Sequence, residues 1–410
     1  MKLWIRFFLA ALVGVLLGLL LPLSGGDTLA GARFVAELIV NAGRYVVFPV
    51  VLFGLAIGVR ELREDRKLVK LSLWTTLMSV ITSAVAVLLG TVAIMVLAPP
   101  RIPPVFQESS GVVDPNFAGI VQGIFPPNLF AVFDVQGYFL LPVAVLALII
   151  GIALSRDDHG VNTLAEIADA AGSLMYRVMN VAIDIVGIGF VALTTALVLQ
   201  VRSVTDYEIY ANLIVIICFI IGLLVLVIYP LIIYLFGGRT NPYLWLYTQL
   251  APAIAAFSSG NIYFSFPSLV RAGSDNMGVP RHASTAMYTI TTILARAGTA
   301  MVTSMTFLLL VRSYTALEIS LGDIFMTMSV SFGISFALSS LPGAGVLVSL
   351  SVLAGMYGGG LEEVYLIVLT VTPLLAAHGT ESHPLTAGFI GRMVSYWEGY
   401  GRDVPIREQS

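Results

Sequence analysis

The sequence predicts an all-α polytopic membrane protein with eight transmembrane helices and two re-entrant helical hairpins, and three observations carry that prediction. First, the 410 residues are 58% hydrophobic and only 11% charged, where soluble domains carry about 25% charged residues. Second, several apolar runs reach the ~20 residues that a helix needs to cross a ~30 Å hydrocarbon layer. Lipid leaves the backbone no partner but itself, so spans of this kind are helical. Third, two apolar segments are interrupted by small polar residues, Pro and Gly in a way that no single crossing accommodates.

The spans fall at 4–23, 35–59, 71–98, 138–155, 174–201, 210–236, 283–311 and 362–395. The first opens on a basic stretch and could be a signal peptide, but its apolar run from Phe7 to Leu23 exceeds the ~7–15 residues of such a segment and no A-x-A site follows closely. We therefore expect a retained span. The loop from Arg60 to Lys70, "RELREDRKLVK", holds five basic residues and is expected in the cytoplasm. Lys2 and Arg6 put the N-terminus on that side, whereas the segment from Pro99 to Gln136 has the single basic residue Arg101 and is expected outside. "SRDDHG", Arg239, Arg271, Arg281 and the tail then return inside, so both termini are expected in the cytoplasm of a cell (inner) membrane protein.

The interrupted segments run from Leu244 to Leu269, through "PAIAAFSSGNIYFSFP", and from Ile324 to Met356, through "FALSSLPGAGVLVS". A single crossing by either would invert the charge pattern downstream. Two half-helices meeting at an irregular tip satisfy it, the first from the cytoplasm and the second from outside. Such paired, oppositely inserted breaks point to a transporter's binding site. Each is followed by a full span, giving an inverted hairpin–span repeat.

Ordered motifs along nearly the whole chain resemble the dicarboxylate/amino acid:cation symporter family, which contains glutamate and aspartate transporters. They are "VVFPVVLFGLAIGVREL" (46–62), "ITSAVAVLLGTV" (81–92), "VQGIFPPNLFAVFDVQGYFLLPVAVLALIIGIAL" (121–154), "FSSGN", "RAGTA", "SSLPGAG" and "PLTAG". The resemblance implies an elevator-type homotrimer. In residues 1–240, spans 1, 2, 4 and 5 would form a scaffold, with spans 3 and 6 joining the transport domain. Residues 241–410 would be the transport core, made of both hairpins and spans 7 and 8.

The binding motifs depart from that pattern. Where the family's seventh span reads N-M-D-G-T, this chain has Ala295, Arg296, Ala297, Gly298 and Thr299. The oxygen ligands for sodium are gone, and arginine offers only donors. At an effective dielectric near ~20, two like charges ~4 Å apart repel by ~4 kcal/mol, so sodium and Arg296 are not expected to share the place. Thr82 and Ser83 keep two hydroxyls of the third span, and Ser79 replaces a tyrosine. In the eighth span Pro373, Ala376, Thr380 and Pro384 stand where the family has Asp, Arg, Asn and Asp. Phe257 holds a first-hairpin position where some members have arginine.

Ionisable groups at membrane depth cost ~2.5–3.5 kcal/mol on insertion scales, which makes them candidates for function. Arg296 has three readings: it binds an anionic substrate, replaces a sodium ion, or forms a structural ion pair. Glu381 is the expected partner, and it shares a helix face with His378 at i, i+3. As a buried acid Glu381 could instead carry a proton. The substrate-binding candidates are Ser258, Ser259, Gly260, Arg296, Thr299, Ser339, Ser340, Pro342, Gly343, Thr380 and Glu381. The ion-coupling candidates are Thr82, Ser83, Ser335, His378, Glu381 and His383. Small residues also simply let helices approach closely, and the tip glycines Gly260, Gly343 and Gly345 supply backbone freedom.

His383 lies off the His378–Glu381 face, so no metal site is expected. No cofactor is called for beyond a coupling Na+ or H+. The expected function is secondary transport of a small organic anion, dicarboxylate or amino acid, with sodium coupling in doubt. Proton-coupled or uncoupled exchange is the alternative, and an anion channel or a transport-dead sensor the readings of another class. No enzyme signature is present, and the net charge of −3 suggests no nucleic-acid partner. The single cysteine, Cys218, excludes a disulfide framework.

Overall fold

Helix is the only regular structure among the residues that the computed structural model describes, as a chain built for lipid requires. Those residues are 2–22, 26–103, 126, 128, 130–134, 140–155, 159–204, 207–238, 241–315, 319–337, 345–358, 361, 364–400 and 404. The N-terminal helices are α1 (Leu3–Leu20), α2 (Gly26–Tyr45), α3 (Val47–Glu64), α4 (Leu68–Leu97), the single turn α5 (Ala131–Asp134), α6 (Leu140–Leu154) and α7 (His159–Arg202). Then come α8 (Tyr207–Leu223), a π-helical segment Leu224–Ile228 and α9 (Tyr229–Phe236). The C-terminal part holds α10 (Leu244–Ser259), α11 (Ile262–Arg271), α12 (Arg281–Leu294), α13 (Ala297–Tyr314), α14 (Leu321–Ala337), α15 (Gly345–Tyr357), a 3₁₀ turn Val364–Val368 and α16 (Thr372–Trp397).

Among the described residues six helical stretches are long and apolar enough to cross a membrane: 3–20, 28–64, 68–97, 161–202, 208–236 and 281–314. They cover predicted spans 1, 2, 3, 5, 6 and 7. The fourth predicted span is the shorter apolar helix α6. The eighth is α16, polar enough to need protein around it, and most of its residues are buried.

Three departures have local causes. Span 2 is interrupted at Val46 because Pro49 has no N–H to return to the Tyr45 carbonyl. Pro230 likewise cannot bond the Leu226 carbonyl; the helix loosens into its π segment there, and Tyr243 Oη donates to that carbonyl at 3.1 Å. The fifth span starts 15 residues earlier than expected, since α7 runs for 44 residues, about 66 Å. Its Ala-rich first third is a good helix former, and charges there do not end a helix that extends beyond the lipid.

Helices α1 and α2 pack on α7, while α3 packs on α6, α7 and α12. The helix α13 sits between α4 and α16, and α10 lies along α16. The stretch 281–314 is 94% buried over its most apolar window, against 22% for α1, so the seventh span is the protein-lined centre. The helices α10 and α11 pack on each other and meet at Gly260, whose φ of +58° is the left-handed conformation that glycine adopts freely. Asn261 starts α11 by accepting from the Tyr263 and Phe264 amides at 2.9 and 3.3 Å. The pair α14 and α15 also touch; their connection, with the candidates Ser339, Ser340, Pro342 and Gly343, lies outside the described residues.

The basic loop gathers at one end of the bundle. Glu61 pairs with His282 at 2.5 Å, Lys70 with Glu398 at 3.1 Å, and Lys67 Nζ donates to the Glu398 carbonyl at 2.7 Å. Lys2 reaches Tyr247 Oη at 2.9 Å at the same end. The opposite end ties the Ile102 amide to Ser313 Oγ at 2.9 Å and Tyr210 Oη to the Ile367 carbonyl at 2.7 Å.

The α1–α7 crossing depends on two glycines. A Cβ at Gly14 would lie 2.6 Å from the Val191 carbonyl oxygen, and one at Gly18 2.7 Å from Val198 Cβ. Gly14→Val is therefore expected to destabilise the protein by ~1–3 kcal/mol, the usual cost of overpacking. Thermal unfolding in detergent checks this, with the exposed Leu16→Val as a control that leaves the midpoint unchanged.

Candidate substrate site at the broken seventh span

The seventh predicted span is two helices, not one. The helix α12 stops at Leu294 and α13 starts at Ala297; between them Ala295 (φ −86°, ψ 83°) and Arg296 (φ −105°, ψ 31°) leave the helical path. The Ala295 amide still bonds the Thr291 carbonyl at 2.7 Å, and the Arg296 carbonyl accepts from the Ala300 amide at 3.0 Å. The Ala295 carbonyl falls out of the ladder and takes a hydrogen bond from His383 Nδ1 at 2.8 Å. A carbonyl only accepts, so Nδ1 carries the proton. His383 is 1% exposed. This predicted ion-coupling residue is thus tied into the break as a backbone partner.

Arg296 is 6% exposed. Its Nε and Nη2 are buried without a hydrogen-bond partner among the described residues, and the polar group beside the guanidinium is the Tyr263 phenol from α11. Those two nitrogens share one edge of the guanidinium, the edge that takes a carboxylate with two parallel hydrogen bonds. The N-terminal end of α13 adds partial positive charge at the same break. The expected Arg296–Glu381 pair does not form. Glu381 instead lies 3.3 Å from His378 Nδ1, while His378 Nε2 lies 3.6 Å from Cys218 Sγ and its ring packs on Phe257 at 5.3 Å. Residues 381 and 383 are ~200° apart around a helix. With His383 turned to the break, Glu381 and His378 face a cleft of about 620 Å³ that is mostly apolar, lined by α1, α8 and α10.

The other candidates separate into groups. Thr299 is buried against Gly345, where an added Cβ would come 3.3 Å from Thr299 Cγ2. A Cβ at Gly298 would overlap Ser382 Oγ and the Gly379 carbonyl, so α13 and α16 cross there in backbone contact. Thr380 Oγ1 lies 3.1 Å from the Ala256 carbonyl and 2.9 Å from that of Ala376, joining α16 to α10. Ser258, Ser259 and Gly260 line a polar cavity of about 750 Å³ with Arg44 of α2 and Gln200 of α7. Ser258 Oγ is 3.4 Å from Thr194 Oγ1, and Ser259 Oγ donates to the Ala255 carbonyl at 2.7 Å.

Among the ion-coupling candidates Thr82 Oγ1 lies 2.7 Å from the Met78 carbonyl, and Ser335 Oγ donates to that of Phe332 at 2.7 Å. Ser83 Oγ is fully buried with no partner among the described residues. None of the described His, Cys, Asp and Glu residues forms a group of three or more able to hold a metal. Sequence reading missed Tyr263 as the neighbour of Arg296. Tyr263 lies two residues after the Asn261 cap in "FSSGNIYF", and nothing in the sequence pairs it with Arg296.

A family model described as the sodium:dicarboxylate symporter family matches residues 3–383. The chain is 23% identical over 333 residues to the neutral amino acid transporter B(0) of Mus musculus, covering 67% of this chain and 59% of that one. The Homo sapiens protein of the same name is 24% identical over 320 residues, at 67% and 58% coverage. A C4-dicarboxylate transport protein of Deinococcus radiodurans is 23% identical over 198 residues, covering 46% and 43%. The chain thus spans less than two thirds of the length of these relatives.

Removing the His383 ring would leave the Ala295 carbonyl buried without its partner. His383→Ala is expected to cost ~1–3 kcal/mol, the desolvation penalty of an orphaned group. A lowered midpoint of thermal unfolding in detergent is the readout; an unchanged midpoint removes the clamp.

Proposed function

Because the chain belongs to the sodium:dicarboxylate symporter family, we propose that it is a secondary transporter whose small organic anion docks a carboxylate on the unpartnered edge of Arg296. The observation that carries this is the buried guanidinium with Nε and Nη2 unpartnered among the described residues. A cation taken out of water without a counter-charge costs several kcal/mol, and a planar carboxylate is the group whose shape and charge offset that cost. On the same reading Arg296 is a tethered cation in the place of a coupling sodium ion. Ala295 and Ala297 bring no side-chain oxygen, and the positive charge repels a second cation.

The architecture we propose has α10–α11 and α14–α15 as re-entrant hairpins. Spans 3, 6, 7 and 8 carry the site past a scaffold of spans 1, 2, 4 and 5 in a homotrimer. The polar cavity between α2 and α7 on one side and α10 and α16 on the other supports a sliding boundary there. The clustering of Lys2, Lys67, Lys70 and Arg271 with His282 and Glu398 at one end of the bundle supports a cytoplasmic location for that end and for both termini.

One observation favours a second reading of coupling. The His378–Glu381 pair is an acid–base couple with His378 buried and Glu381 partly exposed to a cleft, and Cys218 is the other titratable group lining it; such a pair is suited to carry a proton.

Reconstituted protein is expected to take up its anion by saturable counter-exchange when choline replaces sodium at fixed pH. Arg296→Met is expected to lower uptake more than about tenfold, since hydrogen bonds to a charged group are each worth ~1.5–3 kcal/mol. Uptake that requires sodium, or that Arg296→Met leaves intact, rejects the proposal; unsaturable flux points to a channel.

A further inference from the structure

If Arg296 takes the carboxylate, as proposed above, the charges around it narrow the substrate. The sequence has no Asp or Glu from Leu244 to Leu269, from Ala283 to Val311 or from Ile324 to Met356. Neither predicted hairpin nor the seventh span therefore contains a carboxylate. The helix α16 has one carboxylate, Glu381, and it is engaged with His378 on the face turned to the apolar cleft. Pro373, which stands where the resembling family keeps an aspartate for a substrate amino group, lines the cavity beside Arg44 instead. The carboxylate that lines this cavity, Glu37, belongs to α2 together with Arg33 and Arg44 and would stay behind when the site moved, so an ammonium carried beside Arg296 would meet a second cation in a setting that screens poorly.

A second substrate carboxylate is no better served. From Leu244 to Trp397 the basic residues are Arg271, Arg281, Arg296, Arg312 and Arg392, and Arg392 lies about 13 Å along α16 from His383 at the break. Arg271 is paired with Asp275 and Arg281 stacks on the Tyr176 ring, both at the bundle end that holds the basic loop, while Arg312 lies in the last turn of α13. Arg44 does lie near the Tyr263 phenol, but it belongs to α2, across the cavity, and would stay behind when the site moved. The surroundings of Arg296 are also close-packed: Ala295 and Ala297 flank it, and Thr299 touches the start of α15.

We infer that the transported solute is a short monocarboxylate with no ammonium group. One negative charge then neutralises one fixed positive charge, and the occupied site carries no net charge.

Three solutes test the inference because they differ by single groups: propionate, alanine (propionate with an ammonium) and succinate (propionate with a second carboxylate). Each is titrated against the full-length protein in detergent by thermal shift, and as competitor in proteoliposome exchange of labelled propionate. The expected result is half-saturation by propionate at a concentration lower by about tenfold or more than by alanine or succinate, as expected where an added charge goes unpaired. Arg296→Met should abolish the propionate response, and Arg296→Lys, which keeps the charge but loses the fork, should weaken it. Preference for alanine or succinate overturns the inference and leaves Arg296 as a carboxylate site. A response to none of the three, or one that Arg296→Met retains, overturns both.

Discussion

A guanidinium held out of water at a break in the central helix is the constraint on which the rest of this structure depends. Desolvating a cation costs several kcal/mol, and breaking a helix in an apolar surround costs unpaired backbone groups as well. The protein meets the second cost directly. His383 takes the Ala295 carbonyl, and the amide of Ala295 keeps its own bond to Thr291. The first cost is met only in part, because the Tyr263 phenol is neutral and two donors of Arg296 remain without a partner among the described residues. What remains unmet is negative charge of planar shape.

Close packing makes that deficit specific. At the crossing of α13 and α16, Gly298 and Gly379 bring the backbones together, and Gly345 brings α15 onto Thr299. Small residues at such crossings exclude water and bulky lipid alike. Field lines from Arg296 therefore run through protein, where a charge acts over distance with little screening. The two cavities beside the first hairpin differ in the opposite sense. One is lined by Arg44, Gln200 and the polar tip, the other mainly by apolar side chains and the His378–Glu381 pair. Both lie where α10 and α16 face helices of the N-terminal half.

The coarse fold was legible because hydropathy and Lys/Arg placement are direct readouts of the bilayer. Lys70 and Glu398, or Glu61 and His282, meet at one end as the loop charges imply. The break between α10 and α11 was legible from "SSGN", since Gly260 takes the left-handed turn and Asn261 caps the next helix. The break at Ala295–Arg296 was not, because neither residue is a helix breaker and the flanking run from Ala283 to Val311 has no other charged residue and no proline. What holds it open is His383, 88 residues away in sequence. Arg296 itself stood out as a lone charge. Its partner was misassigned to Glu381 because proximity along the eighth span says nothing of which face turns inward: two positions separate Glu381 from His383, and they point to opposite sides. The length of α7 was hidden for the converse reason, since its early charges look like a loop when only the membrane is considered.

A fixed cation changes the energetics of carriage in a way that a bound ion does not. Sodium arrives and leaves with each turnover, so an empty carrier sheds both its charge and its cargo. Arg296 cannot leave. On the proposed reading the loaded site is neutral, while the empty site keeps a desolvated positive charge that its neighbours compensate only in part. Moving that empty site through the low-dielectric middle of the membrane carries the cost of a buried ion, and moving the loaded one does not. The asymmetry favours a cycle in which one anion is exchanged for another over one in which the empty site returns alone. Ala295 and Ala297 fit that cycle, since oxygen ligands there would stabilise the empty state and weaken the demand for cargo.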